Sequence, residues 1–207
     1  MEIGIGIGVA SGKAPSPGGA ESVGTTWDAA NKHSTITLSG DDLVATRASS
    51  GGSYRNVRSV ASKASGKYYV EFPSVVWASG DSVGVGITNA GDDFTTSSGY
   101  LGNLTANGAG MFAASTVSRF YVNGGNTTLG AHTSGQSVDL SIDIDTETIG
   151  VRINNGSWTD FSFAAANAGP WYLAATVFSL NDAVTMITTE ADWERTPRSG
   201  FGEWSAD

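Results

Sequence analysis

The strictest alternation of apolar and polar positions lies between Val138 and Trp158. Val138, Leu140, Ile142 and Ile144 alternate with Asp139, Ser141, Asp143 and Asp145. Ile149, Val151 and Ile153 then alternate with Gly150, Arg152 and Asn154. A period of two is that of a half-buried strand. The pattern predicts an antiparallel pair with one aliphatic and one acidic face, Ile144 opposite Ile149 and Ile142 opposite Val151. A slip by one residue would turn every aliphatic outward. Asn155-Gly156 predicts a type I′ turn into a third strand, because that turn needs positive φ at both central positions.

The rest of the chain repeats the theme at lower contrast. Short strands are expected around residues 34–38 and 43–47, joined by Ser39-Gly40-Asp41-Asp42. In the next strand Tyr68, Val70 and Phe72 face one way and Tyr69 and Glu71 the other. Residues 81–87 direct Val83, Val85 and Ile87 inward, while Gly84 and Gly86 leave room for a neighbouring element to approach. Further short strands fall at 110–114 and 118–122, followed by the turn cluster Asn123-Gly124-Gly125-Asn126. The nearly continuous apolar run 171–178 reads as a central strand buried on both faces. Residues 184–188 are the last strand, and the end of the chain is aromatic and turn-rich. No helix longer than a turn or two, no internal repeat and no second domain is visible. The expected fold is all-β, a single antiparallel β-sandwich over residues 25–207.

Ahead of it, Ile3, Ile5, Ile7 and Val9 alternate with glycine, and a Gly/Ser/Pro-rich linker follows. Residues 1–24 read as an arm and its linker. The strand pattern at its tip is either an integral strand of the sandwich or an element that adds to another chain's sheet edge.

Composition narrows the function classes. The chain has 207 residues, 28 glycines, no cysteine and a net charge of −9. The missing cysteines exclude disulfides, thiolate metal sites and cysteine nucleophiles. An acidic surface repels phosphate backbones, so no nucleic-acid partner is expected. No apolar run is as long as a membrane span, and the first residues lack the basic and apolar regions of a signal peptide.

Five separated segments together resemble SPRY domains: Gly66-Lys67-Tyr68-Tyr69-Val70-Glu71-Phe72, Val83-Gly84-Val85-Gly86, Tyr100-Leu101-Gly102, the hairpin from Asp143 to Gly156, and Pro197-x-x-Gly200-Phe201-x-x-Trp204. Their order and spacing cover about residues 25–204. Gly135-Gln136 departs from the family's usual Gly-Asp, and residues 186–189 replace its Asn-Phe-Gly. The short, cysteine-free, glycine-rich chain with an N-terminal extension is similar in flavour to SPRY-like bacteriophage proteins. The resemblance implies a concanavalin-like jelly roll used for binding rather than catalysis, whose end loops recognise a protein segment or a glycan. It further implies a virion protein, a head or tail appendage. Its partners would be other virion proteins through the arm, within an oligomeric assembly, and a host surface glycan or protein.

Candidate chemistry is sparse. Asp143 and Asp145 on one strand face would lie roughly 7 Å apart, a separation that glycoside hydrolysis permits. Acids alternating on a solvated face are also how a sheet stays soluble. The same acids with Glu147 are a weak calcium candidate. His33 and His132 lie in polar contexts and read as surface loop residues, and no G-x-S-x-G elbow is present. No catalytic residue, metal ligand or cofactor is therefore expected. The binding candidates are Tyr54, Arg55 and Phe94, flanked by Gly51-Gly52-Ser53 and Asp92-Asp93. From the resemblance, the loops near Tyr54, Phe94 and Asn126 belong to the binding end. Trp77, Tyr100 and Trp158 are expected to cap the core, as large aromatics are highly buried on average.

Overall fold

The computed structural model describes residues 23–78, 83–89, 94–95, 99–103, 107–114, 117–164, 166 and 168–206. Ile3, Ile5, Ile7 and Val9 lie outside the described residues. The described chain forms a β-sandwich. Its larger sheet has seven strands in the order β1 (Trp27–Lys32), β4 (Arg55–Lys63), β14 (Trp171–Val177), β7 (Val83–Asn89), β8 (Gly108–Ala113), β9 (Arg119–Val122), β10 (Gly125–Thr128). The facing sheet has five, in the order β13 (Thr159–Ser162), β12 (Thr148–Ile153), β11 (Val138–Asp143), β5 (Lys67–Phe72), β16 (Gly202–Glu203). A third sheet runs β2 (Ile36–Ser39), β3 (Val44–Arg47), β15 (Ala183–Thr185), β6 (Val75–Val76). The one helical element described is a short 3-10 turn, Glu190–Asp192.

Register explains the core. Val57, Ala175, Val85, Met111 and Phe120 stand side by side across five strands of the large sheet, all buried. Against them the facing sheet sets Val70, Phe72, Leu140, Ile142, Ile149 and Val151. As expected, β14 is central and flanked on both edges. The expected hairpin register is corrected by two residues: Ile142 pairs with Ile149 and Leu140 with Val151. Both registers keep the aliphatics on one face. The choice falls to the turn, where Glu147 takes φ 52° and donates its N–H to Ile144 O. The next turn is also corrected by one position. Positive φ falls on Asn154 (47°) and Asn155 (60°), and Gly156 N–H closes the turn on Ile153 O at 2.9 Å.

The second face of the acidic hairpin is not solvated. Every residue of β11 is buried. Glu71, Asp139 and Arg152 stand side by side across β5, β11 and β12, and the chain after β15 crosses over them. Arg152 Nε donates to Asp139 Oδ2 at 2.8 Å and its Nη2 to Tyr69 Oη at 3.0 Å. Arg195 lies between the two acids, 3.1 Å from Glu71 Oε2 and 3.5 Å from Asp139 Oδ1. Backbone N–H groups of Glu194 and Arg195 also donate to Glu71. Two carboxylates directly opposite would repel; the two guanidinium groups neutralise them. The crossing ends at Trp204, fully buried against Tyr68, its Nε1 donating to Ala61 O.

Two buried titratable groups oppose each other in acid. His132, expected at the surface, is 1% exposed beside Trp77, with Nε2 donating to Gln136 O and Nδ1 unpartnered. Burial lowers its pKa, so the unfolded chain takes up the proton first and stability falls as pH drops below about 6.5. Burial pushes Asp139 up to about 6, against the pull of Arg195 and Arg152. The folded chain then takes up that proton first, which adds stability as pH falls from about 6 toward 3.8. His132→Gln removes only the first effect. Urea unfolding at pH 7 and pH 5 should show the variant losing less stability on acidification than the parent, by up to about 1.4 kcal/mol per pH unit. An identical loss in both would refute the assignment.

Candidate functional site

Alternation along the large sheet turns a second set of side chains away from the core. One outward row runs Asn56, Thr176, Gly84, Phe112, Arg119, and the next runs Arg58, Ala174, Gly86, Gly110, Tyr121, Asn126. The glycines make a shallow trough. A Cβ on Gly110 would sit 3.3 Å from Leu101 Cβ and 2.8 Å from Val85 O. Leu101 and Phe94 fill the trough against Ala174. The covering segment is pinned at both margins: Asn56 Nδ2 donates to Gly99 O at 2.7 Å, and Gly124 N–H to Gly102 O at 2.8 Å.

Beside this cover, side chains from two strands and three connecting segments assemble an aromatic surface. Tyr54 lies 4.7 Å (ring centroids) from both Tyr100 and Phe178, and Tyr100 lies 4.5 Å from Phe112 and 5.1 Å from Tyr121. Phe112 is the buried floor, and the other four rings are half-buried. Burial, then the hydrogen bond and neighbouring charge of Tyr121, pushes Tyr100 up to about 12. At neutral pH it is an uncharged hydroxyl. The surface thus offers flat apolar rings edged with hydroxyls, with Arg119 as cross-strand neighbour of Phe112. Such a face can stack on a sugar ring or hold an apolar side chain while its hydroxyls hydrogen-bond the ligand's polar groups.

The expected residues scatter relative to this surface. Tyr54 is part of it, and Asn126 is its exposed margin, directly opposite Tyr121 on the edge strand. Phe94 is corrected: at 2% exposure it is a wedge under the cover rather than a presented ring. Arg55 is corrected too. As the neighbour of Tyr54 on an extended chain it turns to the other side of the sheet, toward His33 and Arg47. Trp77 does join the core. Tyr100 packs on the outward face instead. Trp158 is half-buried outside the core, its ring over Arg152 at 4.6 Å and Arg198 at 5.4 Å. Phe112, Tyr121 and Phe178 were missed. The alternation of Arg119, Phe120, Tyr121 and Val122 carried the signal that Tyr121 faces away from the core.

The acidic hairpin is otherwise engaged. Asp143 ends its strand and is 2.8 Å from Lys67 Nζ. Asp145 is corrected from the strand to the turn, exposed, accepting the Gly66 N–H. Among the described residues no three His, Cys, Asp or Glu side chains gather where they could hold a metal ion. No described helix is long and apolar enough to cross a membrane.

No family model and no curated protein sequence matches the chain. Solved structures do. The SPRY domain of human HERC1 superposes with a TM-score of 0.63 at 16% identity, covering 79% of this chain and 98% of that one. The TRIM65 PSpry domain gives 0.63 at 16%, covering 81% and 93%. Stonustoxin gives 0.61 at 18%, covering 81% of this chain and 27% of the toxin chain. The fold is that of a SPRY domain.

Proposed function

We propose that the chain is a non-enzymatic binding module of a bacteriophage virion, presenting its aromatic surface to a host-surface glycan while residues 1–9 dock it to another virion protein. The observation that carries the binding reading is the cluster of half-buried rings Tyr54, Tyr100, Tyr121 and Phe178 on the Phe112 floor. Such rings are rigid and amphipathic, and lose little entropy when a ligand covers them. The non-enzymatic part is supported by the engagement of the candidate acids and by His33 and His132 being held by Thr35 and Gln136. The virion part is supported by the sequence: the absence of cysteine, the glycine content and the isoleucine–glycine alternation of the first residues. A stand-alone lectin-like module for a glycan or peptide is the competing reading.

The binding test is a glycan array with a hydrolysis readout. Tyr54→Ala with Tyr121→Ala should weaken any bound glycan by about 1 kcal/mol or more while the chain stays folded. Turnover of a bound oligosaccharide would refute the non-enzymatic reading. Deleting residues 1–19 should leave the melting temperature unchanged and abolish incorporation into particles; normal incorporation would refute docking by the arm.

A further inference from the structure

Most of the paired cations lie on one side of the molecule. Lys67, Arg152, Arg195 and Arg198 each sit within 3.1 Å of a carboxylate. Where the larger sheet and the third sheet meet, a different group assembles. Lys32 ends β1, His33 follows it, Arg47 ends β3 and Arg55 begins β4. Backbone bonds draw them together: His33 N–H donates to Asn56 O at 3.1 Å, and Ala48 N–H to Thr35 O at 2.9 Å. The Thr35 hydroxyl bridges His33 Nδ1, at 2.8 Å, and Arg47 Nη1.

We propose that this end of the sandwich, formed by Lys32, His33, Arg47 and Arg55, binds an oxyanion, the carboxylate or sulfate group of a ligand. Among the described residues, the hydrogen-bond acceptors of these cations are neutral oxygens. Lys32 Nζ donates to Ile36 O at 2.7 Å, Arg47 Nε to Ser49 O at 3.1 Å and Arg55 Nη1 to Tyr54 O at 3.0 Å. Arg55 Nε is buried without a hydrogen-bond partner. Among the described residues, no carboxylate lies within 4.0 Å of Lys32, Arg47 or Arg55. The charge of Asp182 reaches Arg47, but that carboxylate accepts backbone N–H groups from Ala78, Phe178 and Ser179. Arg47 is 2% exposed, and a buried guanidinium with no carboxylate in contact among the described residues is unfavourable. The arrangement is unusual in a chain with 20 acids to 11 bases, which had carboxylates to spend. An incoming oxyanion supplies the missing charge and an acceptor for the free Arg55 Nε–H, in the geometry a guanidinium fork favours. Lys32, His33 and Arg55 are half-buried, so a ligand reaches them from solvent. Burial first, then Arg55, Arg47 and Lys32, depresses the His33 pKa; a bound anion offsets the three charges. The site lies on the other side of β4 from Tyr54 and does not depend on the aromatic surface binding anything.

The test is an NMR titration of the 15N-labelled chain with sodium sulfate and, separately, sodium glucuronate, against sodium chloride at matched ionic strength. Saturable shifts at the amides of His33, Thr35, Arg47 and Arg55 are expected from sulfate, glucuronate or both, and not from chloride. The anion that saturates tells a sulfate from a carboxylate site. The His33 imidazole midpoint should rise when the site is filled. Arg55→Gln should weaken binding about tenfold, whereas Lys67→Gln, which removes a cation from the facing sheet, leaves it unchanged. Lys32→Gln replaces Arg55→Gln if the latter spectrum is not that of a folded chain. Shifts that chloride reproduces, that do not saturate, or that survive loss of the side-chain charge would overturn the proposal.

Discussion

Arg152→Ala should destabilise the sandwich by roughly 3–5 kcal/mol, although the residue is on the side of its sheet away from the hydrophobic core. The truncation strands Asp139, which is wholly buried, with Arg195 at 3.5 Å as its remaining ion partner. It also removes donors from Tyr69 Oη and Thr196 O and the cation beneath the Trp158 ring. Removing both charges should be gentler. Asp139→Leu with Arg152→Met leaves Glu71 and Arg195 as a neutral pair, and replacing a buried ion pair by apolar residues of similar size is often close to neutral. Urea unfolding measures both. The single variant should lower the midpoint at unchanged slope, and the double variant should recover most of the loss. A single variant within about 1 kcal/mol of the parent would mean that the row is hydrated and contributes little.

The same row marks how far the sequence could be read. The alternation from Val138 to Ile153 gave the strands and their aliphatic face, because parity is a local property. It could not give the register, since a slip of two residues keeps parity and the decision lies with backbone angles at Glu147. Nor could it show that the acidic face is covered. Residues 190–204 have no period, and their contacts with Glu71, Asp139 and Ser141 span large separations along the chain. Pro197 to Trp204 was legible only as a resemblance, and the physical content of that motif is a buried Trp204 anchoring the crossing. Strand β1 was missed because only Trp27 of its six residues is buried, and β13 was legible only through the turn before it, since none of its own residues is buried. The aromatic surface was partly legible at Tyr54, where glycines precede a strand. Its partners come from β8, β9, the end of β14 and the loop at Tyr100, so only the register brings them together.

Gly84 and Gly86 should separate stability from binding. Both were legible as positions where something approaches closely, and the two neighbours are different in kind. A Cβ on Gly86 would lie 2.5 Å from Gly110 Cα and 3.0 Å from Ala109 C, all backbone of the adjacent central strand. The sheet cannot yield there without breaking the β7–β8 ladder, so Gly86→Ala should cost about 3 kcal/mol. A Cβ on Gly84 would instead meet the Phe112 ring, 2.8 Å from Cδ2. A side-chain ring can tilt where a strand backbone cannot, and Gly84→Ala should cost roughly 1–2 kcal/mol. That tilt moves the floor on which Tyr54, Tyr100 and Tyr121 rest. Gly84→Ala is therefore expected to keep the fold and lose affinity for whatever ligand the parent binds, while Gly86→Ala loses the fold first. Urea midpoints together with tyrosine fluorescence report the two outcomes. Equal destabilisation by both substitutions, with unaltered tyrosine emission from folded Gly84→Ala, would show that Phe112 does not support the aromatic surface.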